Sequence, residues 1–371
     1  MNHLHMLIKP ASGYCNMNCE YCFYHDVIDH REVSNYGMMT DETLEKIVSR
    51  AYEHNHQSVQ FMFQGGEPML IGLGYYEKLM LLVKKYNKAQ IETSFAIQTN
   101  GTLITPEYAH FFKRYNFLVG ISIDGPENHH DLFRTMNDKG SFKAVSEGLK
   151  TLKKYDIDYN ILTVITSNTV RYTEDIYRFL SNLDTIYLQF IPSIDSFDKV
   201  DPKFHIDNKL YAEFLIRLFD VWEADFYNDR RISIRYFDDL LKIIVGMQPS
   251  TCMLMGSCMI QNVIEADGSV YPCDFYVLDE YKLGNVFDNS FEELNQSLIA
   301  TDFVLKSRVL SEECKACNYF GLCRGGCRRY KEPYDEIEHS KTRFCEAFKM
   351  FFDHRLKRLL DIAQVLINEQ K

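Results

Sequence analysis

The sequence predicts an α/β chain: a partial barrel of six strand–helix repeats, (β/α)6, followed by a small cysteine-rich domain. Three observations predict it. Short runs rich in Val, Ile, Phe and Tyr alternate with helix-period segments through the first two-thirds of the chain. Polar, glycine-containing or cysteine-containing segments follow those runs. Regular periodicity then weakens near residue 235, and the cysteines concentrate between Cys252 and Cys345.

The candidate strands are residues 5–9, 59–63, 94–98, 118–123, 160–165 and 186–191. Their β-branched and aromatic content suits a pleated, half-buried surface. Between them lie helical segments at 41–54, 75–86, 106–115, 142–155 and 173–183, with a further one at 209–226. In the first, Leu44, Ile47, Val48 and Ala51 recur at the spacing of one helix face, and Thr40 is placed to cap it. Strands each followed by a helix imply parallel pairing through right-handed crossovers. Six such units suit an open barrel, with chemistry expected on the loops after the strands. The predicted division is 1–235 for the barrel and 236–371 for the cysteine-rich domain, which ends in an amphipathic helix at 346–368.

Composition narrows the function. The 371 residues carry a formal charge of -11, which disfavours nucleic-acid binding, because phosphate contacts need clustered Lys and Arg. No stretch reaches the length of a membrane span and no secretory signal is seen, so a cytoplasmic protein is expected. In that compartment 11 cysteines, an odd count, point to metal or cluster ligation and away from disulfides.

Cys15, Cys19 and Cys22 form C-x3-C-x2-C on the loop after the first strand. Three thiolates can hold three irons of a [4Fe–4S] cube and leave the fourth open, whereas ferredoxins supply four cysteines. A zinc site completed by His25 or His30 is the alternative. With Tyr21 just before the last cysteine, this motif resembles the radical S-adenosylmethionine (SAM) superfamily. The resemblance implies that SAM binds the open iron and is cleaved to a hydrogen-abstracting adenosyl radical. It extends to Gln64-Gly65-Gly66-Glu67-Pro68, which resembles the family segment whose backbone meets the SAM amino group. Ser122, Arg134 and Ile194 match positions that contact the SAM ribose, carboxylate and adenine.

The other eight cysteines are Cys252, Cys258, Cys273, Cys314, Cys317, Cys323, Cys327 and Cys345. Eight thiolates complete two four-cysteine clusters, or two zinc ribbons. Gly268-x4-Cys273 and Cys314-x2-Cys317-x5-Cys323-x3-Cys327 resemble the SPASM extension of peptide-modifying radical SAM enzymes. That resemblance implies interleaved ligation. Cys252, Cys258, Cys273 and Cys327 hold one auxiliary cluster, and Cys314, Cys317, Cys323 and Cys345 hold the other. Three [4Fe–4S] clusters and SAM are thus the expected cofactors. Gly325 and Gly326 are expected to allow the turn before Cys327, and Arg324, Arg328 and Arg329 either balance the clusters or face solvent.

Clusters with every iron ligated suit electron transfer, so a net oxidation of substrate is expected. Asp274, directly after Cys273, is the candidate base. The fullest resemblance, running through residues 7–12, 22–25, 63–68, 98–103, 233–238 and 267–278, is to anaerobic sulfatase-maturating enzymes. It implies oxidation of an active-site Cys or Ser of a sulfatase polypeptide to Cα-formylglycine, with an electron donor such as ferredoxin or flavodoxin. A SPASM enzyme that forms thioether or carbon–carbon crosslinks in a ribosomal peptide is the alternative. Such enzymes often carry an N-terminal peptide-binding domain, for which the start of this sequence leaves no expected room.

Overall fold

The computed structural model describes residues 3–332 and 341–369. Its strands, in chain order, are β1 His3–Ile8, β2 Asn18–Cys19, β3 Ser58–Phe63, β4 Glu92–Thr99, β5 Phe117–Ser122, β6 Arg134–Met136, β7 Lys139–Gly140, β8 Tyr159–Ile165, β9 Tyr187–Pro192, β10 Ser233–Ile234, β11 Val263–Ile264, β12 Ser269–Tyr271 and β13 Gly284–Asn285. The chain forms two compact units. One comprises Met1–Ile123, His130–Asn160 and Met259–Phe303; the other comprises Asp124–His129, Ile161–Cys258 and Val304–Lys371.

In the first unit β1, β3, β4 and β5 are parallel neighbours, and each begins or ends within a few residues of a run chosen from the sequence. Alternation sets which face is buried: in β3, Val59, Phe61 and Phe63 are inside and the residues between them are half-buried. Phe61, Phe95 and Phe117 stack across three strands at 5.7 and 5.1 Å between rings. Helix Asp41–Ala51 buries the four residues picked out by spacing, and the Thr40 hydroxyl accepts the Thr43 N–H at 3.1 Å. The free edge of β1 is taken by β11, with Leu7 opposite Val263 and Ile8 opposite Ile264. β12 and β13 continue from it antiparallel. These strands of two or three residues carry no readable alternation, so the sequence did not announce them. Helix Phe23–Asp29, directly after Cys22, was missed for the same reason of length.

In the second unit β9 pairs in parallel with β8 and β10. Helix Asn208–Tyr227 packs on the long helix Cys345–Glu369. Phe219, Trp222, Phe237 and Phe351 form the ring cluster there, with Phe237 and Phe351 stacked at 5.9 Å. Arg355 makes a two-pronged pair with Asp220 at 2.8 and 2.7 Å. Among the described residues no helix is long and apolar enough to cross a membrane.

Candidate active site

The loop after β1 presents Cys15 exposed and Cys19 and Cys22 half-buried, all three as free thiols. Cys22 stands at the N-terminal end of helix Phe23–Asp29. Cys19 lies opposite Arg134 in the β2–β6 pair, and the Arg134 guanidinium comes within 3.9 Å of the Cys19 sulfur and 5.5 Å of the Tyr21 ring centre. The Gly65–Glu67 backbone fixes the cysteine loop. Gly66 N–H donates to Ser12 O and Glu67 N–H to Tyr14 O, at 3.0 and 2.7 Å. A Cβ at Gly66 would overlap the Tyr14 carbonyl, and Gly65 has φ +122, so both positions require glycine.

The side chains of this segment turn to other partners. Glu67 is fully buried; its carboxylate accepts Met69 N–H, Thr99 O–H and Asn100 N–H at 3.0, 2.8 and 2.8 Å. Burial pushes its pKa up to about 7, against the pull of those hydrogen bonds. Gln64 donates to Asp274 Oδ2 at 3.1 Å. Ser122 is buried and accepts Gln98 at 3.1 Å.

Asp274 is the centre of a buried polar group. Its Oδ2 also accepts Tyr24 Oη at 2.6 Å, while its Oδ1 is buried and has no hydrogen-bond partner among the described residues. Burial raises its pKa; Lys9 and the Tyr24 hydroxyl pull the other way. The Lys9 ammonium lies 4.4 Å from the Tyr24 ring centre and pairs with Glu265 at 3.0 Å. Arg31 pairs with the same Glu265 oxygen at 2.7 Å. Lys9, Arg31 and Glu265 are all buried. Burial pushes Glu265 up, but the two cations outweigh it and hold the carboxyl at about 2. Tyr24, Lys9, Arg31 and Glu265 had not been singled out from the sequence as site residues. Their only signal was that Lys9 and Tyr24 fall within stretches that carried the resemblance.

In the second unit the cysteines gather in two groups. Cys314, Cys317, Cys323 and Cys345 line one small pocket. Cys327 has Cys252 and Cys258 as its thiol neighbours; Cys273 belongs to the first unit. Local structure sets these positions. The Asp239 carboxylate accepts both backbone and hydroxyl donors of Ser250 and Thr251, just ahead of Cys252, at 2.6 to 2.8 Å. The Ser311 hydroxyl caps the turn that carries Cys314, and Gly325 and Gly326 take positive φ of 88 and 74 before Cys327. Arg328 and Arg329 are buried. So is Lys331, whose neighbours include Cys258, Cys314, Cys323 and Cys327; it was not singled out from the sequence. Ile194, half-buried, follows β9.

These donor sets fit iron–sulfur ligation. All 11 cysteines are free thiols, and they occur as a loop of three and as groups that sequence-distant segments bring together. A thiolate is the ligand such clusters need.

Comparison with known proteins agrees with this chemistry. The profile of the Radical SAM superfamily matches residues 10–180, and that of the SPASM iron-sulfur cluster-binding domain matches residues 252–318. The chain is 46% identical to a cysteine-type anaerobic sulfatase-maturating enzyme of Clostridium novyi, over 100% of both chains. It is 31% identical to a serine-type anaerobic sulfatase-maturating enzyme of Bacteroides thetaiotaomicron, over 99% of this chain and 93% of that one. Among solved structures, native anSMEcpe with bound AdoMet and Kp18Cys peptide matches with a TM-score of 0.93 and 42% identity, over 98% of this chain and 99% of that one.

Proposed function

This chain belongs to the anaerobic sulfatase-maturating enzymes of the radical SAM superfamily, and from that membership we propose that it oxidises an active-site residue of a sulfatase polypeptide to Cα-formylglycine. Cysteine is the favoured target, because the cysteine-type relative is 46% identical and the serine-type relative 31%. Cys15, Cys19 and Cys22 hold the cluster that binds SAM. Cys314, Cys317, Cys323 and Cys345 hold one auxiliary cluster; Cys252, Cys258, Cys273 and Cys327 are the ligands of the other. Functionally, residues 1–235 serve SAM and 236–371 serve the auxiliary clusters. The setting is cytoplasmic, with ferredoxin or flavodoxin as electron donor.

When bound, SAM on its cluster supplies the radical that removes a Cβ hydrogen from the target residue. The chain's own residues manage the rest. Tyr21, Arg134, Ser122, Ile194 and the Gln64–Glu67 backbone are the SAM contacts. Arg134 brings paired donors suited to a carboxylate. Asp274 accepts the thiol proton at Oδ1 while the substrate radical gives up one electron, which an auxiliary cluster would accept when bound. The thioaldehyde then takes up water and releases hydrogen sulfide to give the aldehyde.

The observation that carries this reading is the asymmetry of Asp274: Oδ2 is held by Tyr24 and Gln64, and Oδ1 is buried without a partner among the described residues, one residue from Cys273. A buried acceptor with no protein donor is suited to a donor brought by substrate. The test is anaerobic incubation of reconstituted protein with SAM, reductant and a Cys-x-Pro-x-Arg peptide. Asp274→Asn is expected to keep cleaving SAM while aldehyde formation falls by about 10²–10⁴-fold. Undiminished aldehyde would remove the role assigned to Asp274.

A further inference from the structure

We propose that Asn100 is a positioning residue for the SAM-binding cluster: its side-chain amide donates an N–H to the Cys15 thiolate and raises that cluster's reduction potential. The inference rests on Cys15, Cys19 and Cys22 being the ligands, as proposed above.

The orientation of the amide is fixed by its neighbours. Asn100 Oδ1 accepts the Thr102 backbone N–H at 2.9 Å and the Thr102 hydroxyl at 2.7 Å. A backbone N–H can only meet an acceptor, so the oxygen must face Thr102 and the NH2 group must face the other way. That group donates to Asn16 Oδ1 at 2.9 Å and reaches the Cys15 sulfur at 3.8 Å. Asn16 is locked in turn, donating to Thr102 Oγ1 at 2.8 Å. From below, the Asn100 backbone N–H is held at 2.8 Å by the buried Glu67 carboxylate. Thus every polar atom of Asn100's side chain has an assigned direction, and one of its two amide protons is left for sulfur. Asn100 is itself buried, whereas Cys15 is exposed.

An N–H aimed at a cluster thiolate stabilises the more negative, reduced state more than the oxidised one, so it raises the potential. The Met17 backbone N–H adds a second donor to Cys15 at 3.4 Å, and Arg134 approaches Cys19 at 3.9 Å. Of these donors Asn100 is the one that a side-chain change removes without touching a residue assigned to SAM. Its function in the cycle is to ease delivery of the electron to the cluster that cleaves SAM.

Asn100→Ser and Asn100→Asp separate this from a packing role. Serine keeps an oxygen for Thr102 N–H but cannot reach Cys15; aspartate keeps the shape but replaces the N–H with a second acceptor. Each full-length protein is reconstituted anaerobically, its iron is counted, and its clusters are titrated by potentiometry followed by electron paramagnetic resonance. The signal that changes on adding SAM identifies the cluster in question. In Asn100→Ser the ratio of reduced to oxidised cluster at a fixed potential is expected to fall about tenfold, equal to about 59 mV for a one-electron couple. In Asn100→Asp the fall is larger, and in both the auxiliary clusters keep their midpoints. The proposal is overturned if both variants carry full iron and a SAM-responsive signal at the wild-type midpoint, or if all clusters shift together. Failure of the underlying ligand reading looks different: Cys15→Ala would then keep full iron and the SAM-responsive signal.

Discussion

At Asp274 one carboxylate oxygen holds two donors and the other holds none among the described residues. The two donors do separate jobs. Tyr24 gives the shorter bond, 2.6 Å, and its ring rests against the Lys9 ammonium, so the hydroxyl is rigidly aimed. Gln64 reaches in from the segment that braces the cysteine loop. Together they fix the carboxylate by Oδ2 and leave Oδ1 for the proton-accepting role proposed above. Tyr24→Phe removes a hydrogen bond to a buried carboxylate, a loss of about 1–3 kcal/mol, and frees the carboxylate to rotate. SAM cleavage is expected to continue while aldehyde formed per SAM cleaved falls; product counts by mass spectrometry check this. A ratio equal to that of the wild type would show that Tyr24 does not orient the base. Asp274 could be singled out in the sequence from its place directly after Cys273. The partners were not, because they come from positions 9, 24, 31, 64 and 265, which only folding brings together.

Two small elements carry the geometry. The first is the Gly65–Gly66 turn, where close approach of two backbones leaves no room for a side chain. Gly66→Ala is expected to displace Tyr14 and with it Cys15, so that iron falls by about one cluster in three, a change read by metal analysis. Retention of full iron with normal SAM cleavage would show that the loop tolerates the shift. The second element is the β11–β12 hairpin, which places Glu265 between Lys9 and Arg31. Removing one member of a buried ion group costs about 3–5 kcal/mol, because it strands the others. The pH dependence follows from the Glu265 carboxyl held at about 2. Its folded pKa lies below that of the unfolded chain, so its contribution is complete above about 4.5 and is lost as pH falls toward 2. The gap in urea midpoint between wild type and Glu265→Gln should therefore be wide at pH 6 and narrow as pH drops through that window. A constant gap would mean that charge is not what Glu265 contributes. The long strands and helices were readable because alternation and 3.6-residue spacing repeat often enough to register. The strand pairs of two or three residues were not, since their stability comes from a neighbouring strand and not from their own pattern.

Across the whole molecule, two compact units each carry a share of the thiols, with Cys15, Cys19, Cys22 and Cys273 in one and the remainder in the other. In the second unit, the helix that begins at Cys345 is anchored by its aromatic face on Phe219 and Phe237 and by arginine pairs to Asp220 and Glu223. Phe351 is fully buried there. Phe351→Ala is expected to cost about 3–5 kcal/mol and to lower the urea midpoint. Because Cys345 starts that helix, a cluster ligated as proposed above should also be lost more readily to chelators. A variant with wild-type stability would contradict the packing described. The activity itself is tested most directly by one anaerobic turnover experiment on the wild-type protein with SAM, reductant and the Cys-x-Pro-x-Arg peptide. It measures 5′-deoxyadenosine and formylglycine in the same samples over time. Matching amounts of the two are predicted, with the cysteine as the only residue changed. Steady SAM cleavage with no aldehyde, or a peptide crosslinked through its sulfur, would contradict the account.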